Sequence, residues 1–493
     1  MSLAGARILV TASFWLLIGC APAARLTTAE HASQTIMKLS SSPYQGLKAR
    51  FDALFPDTLF PPSNVGMKVV SLSTGETLYE LNSDLIFNPA SNQKLFTSAA
   101  ALWELGEDFL FKTRISFDTL NVDQIFVKGF GDPFLSTADI ESIATVVSRS
   151  LPGGKTWTIV GDVSYFDDLY LGSGWMWDDE PSCYNMFLTP LSVNGNCIDV
   201  HVRPGSLGGD SVEVSTEPRT RYVTIENNGR TVEDTVINAL EVSRKWRERL
   251  NAISVAGEML KGDSLSSTEL SVWQPEHYTL TLLAEKLQGQ AATIGGIRLD
   301  TVPSTATPIL DYTHRLDSVV TYLNKESDNL SAENILKTLG AEKRSVPGSA
   351  AKGISVLHEF LNGNDIDTSR IVLVDGSGLS RYNLTSADVL IRLLLAMHKR
   401  PEHFDAFYTS LPIAGVDGTL SDRMKGSPAE GNLRAKTGTL NGVSSLSGYV
   451  HTADGEFLAF SVLMQKFPGS AQAYRQVQDR LGILLATMRR RVL

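Results

Sequence analysis

Apolar and polar residues alternate through VVSLSTGETLYEL, residues 69–81, in two short runs joined at Ser73, Thr74 and Gly75, which predicts a β-hairpin. The period then changes. Leu95, Ala99, Leu102 and Trp103 recur at helical spacing with Pro89 just outside the start, so Ser91 falls in the first turn of a helix. From residue 116 to about residue 290 the pieces IFVKGFGD, TWTIVGDVSYF and CIDVHVRPG are strand-like and broken by glycines and prolines. One charged helical stretch, Glu241 to Leu250, interrupts them, and the whole reads as one or two inserted, mostly β domains. Helical spacing returns from Tyr312 to Leu339, and GYVHTADGEFLAFSVLMQ predicts a second hairpin turning at Ala453, Asp454 and Gly455. Strands before the first helix and at the second hairpin, late in the chain, predict one sheet built from both ends of the chain, hence an α/β (α+β) fold. No internal repeat is visible.

Composition adds bounds. The 493 residues, 43% hydrophobic and 20% charged, are ordinary for a globular protein able to bury more than one core. A net charge of −10 with no basic run longer than Arg489 to Arg491 argues against a nucleic-acid partner. Arg7, the apolar ILVTASFWLLIG, Cys20 and Ala-Pro-Ala follow the order of a secretory signal over residues 1–25, so the protein is expected to be exported to the periplasm or cell envelope. Leu17, Ile18, Gly19 and Cys20 resemble a bacterial lipobox, with Cys20 acylated as a lipid anchor; simple cleavage after Ala23 fits the same residues. A polar tether is expected over 26–46. Cys183 and Cys197 remain, and their separation admits a disulfide loop worth about 3 kcal/mol, or two buried thiols. No His/Cys cluster has metal-ligand spacing, so neither metal nor cofactor is expected.

The chemistry lies in three short motifs. Serine is a weak nucleophile until a base takes its proton, and in PASNQKLFT Lys94 stands one helical turn after Ser91. Ser349 to Lys352 repeats that spacing, so it means little alone. Ser327, Asp328 and Asn329, then Lys436, Thr437 and Gly438, complete the order S-x-x-K, S-D-N, K-T-G found in β-lactamases and penicillin-binding proteins. That order selects Ser91 over Ser349, and Ser327 with Asn329 over the S-x-N of Ser192 and Asn194. Lys94 must be neutral to act as base, although a free lysine titrates near about 10.4; burial and the like charge of Lys436 both favour the free amine. Ser327 can relay a proton, Asn329 can hold a substrate amide or the lysine, Lys436 and Thr437 can meet a terminal carboxylate, and the N–H groups of Ser91 and Thr439 suit an oxyanion.

Through PASNQKLFT, GWMWDDEPSCY, LSVNGN, NKESDNLSAENILKTLG, VDGSGLSRYN and AKTGTLNGVSSLSGY, the chain resembles the class C low-molecular-mass penicillin-binding proteins, the D-alanyl-D-alanine carboxypeptidase/endopeptidase family. The resemblance runs from about residue 47 to the C-terminus. It implies a penicillin-binding/β-lactamase-like catalytic domain from residues 47–115 and 291–493, an antiparallel sheet flanked by helices, with the inserted domains at 116–290 between the first two motifs. It implies an acyl-enzyme on Ser91, with peptidoglycan stem peptides and crosslinks as substrates and β-lactam antibiotics as covalent ligands. Ser91, Lys94, Ser327, Asn329 and Lys436 take the catalytic positions, and Thr437, Gly438 and Thr439 bind substrate. Asp179, Tyr184, Arg381 and Asn441 match a pocket for the end of a diaminopimelate side chain, Asp179 toward its ammonium and Arg381 toward its carboxylate. The Cys183/Cys197 spacing resembles a disulfide of relatives, while Gln465 and Lys466 replace the asparagine-glycine often found there. A β-lactamase is the nearest rival: Tyr322 to Asn324 forms a Y-x-N, but Glu248 to Asn251 is one residue short of E-x-x-L-N. A catalytically silent binder is the other.

Overall fold

The computed structural model describes residues 45–55, 59–60, 63–118 and 123–490; the expected export segment, Cys20 and all but the end of the tether lie outside the described residues. Helix α1 (Gln45–Asp52) opens them, and the hairpin β1 (Asn64–Ser71) and β2 (Thr77–Leu81) follows. A 3-10 turn over Ala90–Asn92 leads into α2 (Gln93–Leu105). The chain leaves through β3 (Leu110–Asp118), β4 (Gln124–Gly129), α3 (Thr137–Ser150) and β5 (Thr156–Asp162). It continues through β6 (Cys197–Arg203), β7 (Glu213–Glu217), β8 (Thr224–Val232), β9 (Glu241–Arg244), β10 (Ala252–Leu260) and β11 (Ser266–Ser271). Helix α4 (Pro275–Gly289), β12 (Thr293–Leu299) and β13 (Ala306–Arg315) bring it back. Helices α5 (Leu316–Glu326), α6 (Asn329–Lys343), α7 (Ala350–Gly363), α8 (Ala387–His398) and α9 (Pro401–Ser410) precede the strands β14 (Arg434–Leu440), β15 (Val443–His451) and β16 (Phe457–Gln465) and helix α10 (Gln472–Thr487). No described helix is long and apolar enough to cross a membrane.

Both ends of the chain do build one sheet, in the order β14-β15-β16-β1-β2, with β1 antiparallel to β16 from Asn64 opposite Gln465 to Ser71 opposite Leu458. Every residue of β15 except His451 is buried, which requires cover on both faces. Helix α8 packs on β1 and β16, and α10 on β15. The first helix differs from its expected single apolar face: Gln93 to Leu102 are all buried, because α5, α6, α7 and α9 surround α2. Leu95, Phe96 and Leu102 pack in one core with Leu323, Ile335 and Leu390. Each such side chain contributes about 1.5–3 kcal/mol, so packing holds α2 rigidly in place.

The excursion between the first two motifs is closed by a strand pair, Leu110 opposite Arg315 through Asp118 opposite Ala306. Sheet β12-β5-β4-β3-β13 therefore takes in residues on both sides of the expected 116–290 insert, and the segment 110–315 has its own core. Two three-stranded sheets, β11-β6-β7 and β8-β10-β9, complete it together with α3 and α4, helices that the strand-rich reading passed over. The helix expected over Glu241 to Leu250 is instead strand β9 and a tight return into β10. Alternation in Glu241 to Arg244 turns Arg244 inward, where it pairs with Glu180 at 2.6 Å and donates to the Leu250 carbonyl. The helical run expected from Tyr312 begins at Leu316, since Tyr312 to Arg315 end β13.

Candidate active site

Two local features aim Ser91. The Asn88 side-chain oxygen accepts from the Ala90 N–H at 2.9 Å, and Ala90 takes a left-handed φ of 46°, so the chain turns sharply one residue before the serine. Such a residue costs about 1–3 kcal/mol, and the surroundings must hold it. Asn88 does so by donating to the carbonyls of Ser380 and Asn383. Gln465, at the position that departs from the family pattern, accepts from the N–H of Asn88 and so braces the same turn.

One turn further, Lys94 is fully buried. Its Nζ lies 3.2 Å from Ser91 Oγ, 2.6 Å from Asn329 Oδ1 and 2.7 Å from the Ser377 carbonyl oxygen. The Asn329 amide is oriented by its own Nδ2, which donates to the Tyr184 carbonyl at 3.0 Å, so oxygen must face the lysine. A neutral amine has two N–H bonds and one lone pair. Two of its three neighbours here only accept, and the third, a hydroxyl, can donate. Burial brings the Lys94 pKa down to about 8, opposed by the charges of Asp328, Asp375 and Glu333. Burial, the first of the two expected causes, is the larger one that frees the amine.

Ser327 ends α5 with φ 62°, a left-handed bend that joins α5 to α6 and presents its hydroxyl to Lys436 at 2.8 Å. Lys436 on β14 is fully buried and also donates to the Thr437 carbonyl. Burial, then the charge of Lys94, presses its pKa well below that of a free lysine. A Cβ on Gly438 would stand 2.1 Å from Ser445 Oγ, 2.8 Å from the Pro89 carbonyl and 3.0 Å from the Ser91 nitrogen. Only glycine lets β14 pass this close to the Ser91 backbone. Thr437 Oγ1 donates to Thr419 Oγ1 at 2.7 Å, and Arg475 donates to Thr439 Oγ1 at 3.2 Å.

The excursion reaches back to this centre. Cys183 and Cys197 form a disulfide that ties the loop before β6 to that strand, and this loop supplies the Tyr184 carbonyl to Asn329. Trp175 Nε1 donates to Asp375 Oδ2 at 3.0 Å. Asp179 sits on a short turn where burial and Asp178 raise its pKa while the charge of Arg381 lowers it, and Arg381 donates to the Asn441 carbonyl at 3.1 Å. Asp179, Arg381 and Asn441 therefore gather, whereas Tyr184 is 75% exposed and joins the centre through its backbone carbonyl. A cavity of about 840 Å³ is lined by Ser327 and Asn329 together with Tyr322, Asp199 and Glu269.

The profile of the D-Ala-D-Ala carboxypeptidase 3 (S13) family matches residues 47–488. The chain belongs to the S13 family. A D-alanyl-D-alanine carboxypeptidase of Actinomadura sp. (strain R39) is 34% identical over 476 residues, covering 92% of this chain and 87% of that protein. The D-alanyl-D-alanine carboxypeptidase DacB of Haemophilus influenzae is 25% identical over 414 residues, covering 81% and 84%. The crystal structure of penicillin binding protein 4 (dacB) from Haemophilus influenzae shares the fold, with a TM-score of 0.77 at 23% identity over 89% of this chain and 99% of that one.

The competing motifs of this S13 chain have structural work instead. Ser349 caps α7 by accepting from the Lys352 N–H, and Lys352 Nζ donates to the carbonyls of Ser345 and Pro347. Asn194 binds Thr137 and Tyr278 within the excursion. Asn324 of the Y-x-N points to Ser410. The motifs leave out Asp375, Ser377 and Glu333: VDGSG carries part of the resemblance, but the motif pattern gives it no role. Its aspartate before two glycines was the available signal, since such side chains fold back on their own turn. Asp375 accepts from the N–H groups of Gly378 and Ser380.

Proposed function

We propose that this S13 chain is a serine D-alanyl-D-alanine carboxypeptidase and endopeptidase of peptidoglycan, working through an acyl-enzyme on Ser91. The observation that carries this is the contact set of Lys94, a buried amine with both N–H bonds directed to carbonyl oxygens and its third neighbour the Ser91 hydroxyl. Ser91 Oγ bonds to the carbonyl carbon of the penultimate D-alanine as its proton passes to Lys94 Nζ. The backbone N–H groups of Ser91 and Thr439 receive the oxyanion. The C–N bond then breaks, its amine taking the proton by way of Ser327 and Lys436, and water later releases the shortened peptide. With the Lys436 amine engaged on Ser327 and Thr437, the terminal carboxylate meets the hydroxyls of Thr437 and Thr439, with the Arg475 cation alongside. Asp179 and Arg381, near enough to feel each other's charge, suit the ammonium and carboxylate of diaminopimelate.

Protein lacking residues 1–25, incubated with penicillin and separately with a diaminopimelate-crosslinked muropeptide dimer, is expected to gain penicillin mass at Ser91 and to release monomers. Acylation without peptide cleavage would instead identify a silent binder, and rapid penicillin turnover a β-lactamase. We also propose export, with Cys20 acylated or the segment cut after Ala23. The mass of the mature N-terminal peptide is expected to show one of these two ends, and an intact Met1 would remove both.

A further inference from the structure

We propose that Glu333 is a positioning residue for the catalytic lysine: it holds the backbone of Gly376 and Ser377 so that the Ser377 carbonyl takes one N–H of Lys94 and leaves the amine lone pair facing Ser91. The inference rests on the assignment of Ser91 and Lys94 above. Glu333 lies one turn after Asn329 on α6, on the same face, and is fully buried. Its Oε1 accepts from the Gly376 N–H at 3.0 Å and from the Ser377 N–H at 2.8 Å. The carbonyls of the same loop all point the other way, to one face of α2. Gln93 Nε2 donates to the Asp375 carbonyl at 3.1 Å, Thr97 Oγ1 to that of Gly376 at 2.7 Å, and Lys94 Nζ to that of Ser377 at 2.7 Å.

The loop is thus clamped between a carboxylate on α6 and three side chains on α2. It has no slack on the α6 side, since a Cβ on Gly376 would stand 2.5 Å from the Ala332 carbonyl. Because the Ser377 carbonyl and Asn329 Oδ1 are the acceptors for the two N–H bonds of Lys94 among the described residues, a shift of the loop would let the amine rotate away from Ser91. A buried carboxylate is a costly way to hold two N–H groups in a core. Glu333 Oε2 moreover has no hydrogen-bond partner among the described residues, so only one of its oxygens serves the loop.

The charge of Glu333 matters as well as its shape. The ionisable groups that act on it are Asp375 on the loop and Lys94 on α2, and Lys94 in turn feels Asp328 at the start of α6 and acts on Lys436 on β14. Burial and then Asp375 raise the Glu333 pKa to about 7, and its anion in turn favours the ammonium form of Lys94. Removing that anion lowers the Lys94 pKa, so acylation should begin at lower pH.

The test uses Glu333→Gln and Glu333→Ala in the full chain, with penicillin acylation of Ser91 followed against pH and thermal stability measured alongside. Glutamine keeps an acceptor for the two N–H groups without the charge. The midpoint of the acid limb, at about 8 in the wild type, is expected to move lower, with the plateau rate and stability kept. Alanine leaves both N–H groups without an acceptor, and its plateau rate is expected to fall at least about tenfold. A folded Glu333→Ala variant that keeps the wild-type plateau rate would overturn the proposal and reduce Glu333 to packing. Should alanine not fold, a Glu333→Gln plateau that falls about tenfold with stability kept would overturn it too, because the acceptor for the two N–H groups is still there. Failure of the underlying reading looks different: Lys94→Ala would then acylate as fast as the wild type.

Discussion

Ser91→Ala is expected to abolish covalent labelling by penicillin and to lower D-alanine release by at least about 10⁴-fold, with the fold intact. The 3-10 turn that carries Ser91 is fixed by Asn88, Ala90 and Ser445, whose hydroxyl donates to the Pro89 carbonyl at 2.8 Å. None of these contacts uses the Ser91 hydroxyl, so its loss should leave the turn and Lys94 in place. The competing Ser349 cannot substitute, because it caps α7 and its lysine is bound to backbone carbonyls. Intact-mass measurement after penicillin treatment, with a melting curve for the same sample, separates the cases. Label retained on the alanine variant would move the nucleophile elsewhere.

Lys94→Ala and Lys94→Arg are both expected to slow acylation about 10²–10⁴-fold, the usual contribution of a positioned base. Arginine should not rescue, since a guanidinium stays charged and has no lone pair to offer. The wild-type pH dependence follows from the same group. Burial lowers the Lys94 pKa to about 8, and only the neutral amine accepts a proton. Acylation should therefore rise about tenfold per pH unit below that value and level off above it. Stopped-flow acylation by a chromogenic cephalosporin reads both the limb and the two variants. A rate independent of pH from about 6 to 9 would exclude Lys94 as the base.

Sequence determined a good deal here because the chemistry is written in short, ordered motifs. The three-residue spacing of Ser91 and Lys94 puts them one turn apart, although Ser91 itself lies in the 3-10 turn that leads into α2, and the hairpins at Gly75 and Gly455 follow from local alternation and turn residues. The apolar spacing from Leu95 revealed a helix, though not that every side chain from Gln93 to Leu102 would be enclosed, since a central helix is distinguished only by its neighbours. Local pattern also misled at Glu241 to Leu250, where charged residues with good helix propensity were drawn into a strand by pairing with β10.

Tertiary structure decided what depends on distant segments meeting. Only packing makes Lys94 dry enough to lose its proton, and only folding brings the Ser377 carbonyl, 283 positions away, to its Nζ. The insert could not be assigned a role from its residues, yet its disulfide-tied loop orients Asn329 and its Trp175 binds Asp375. Residue types and spacing fix which groups are available. Burial and orientation, which set protonation and direct each hydrogen bond, arise only when the core closes around them.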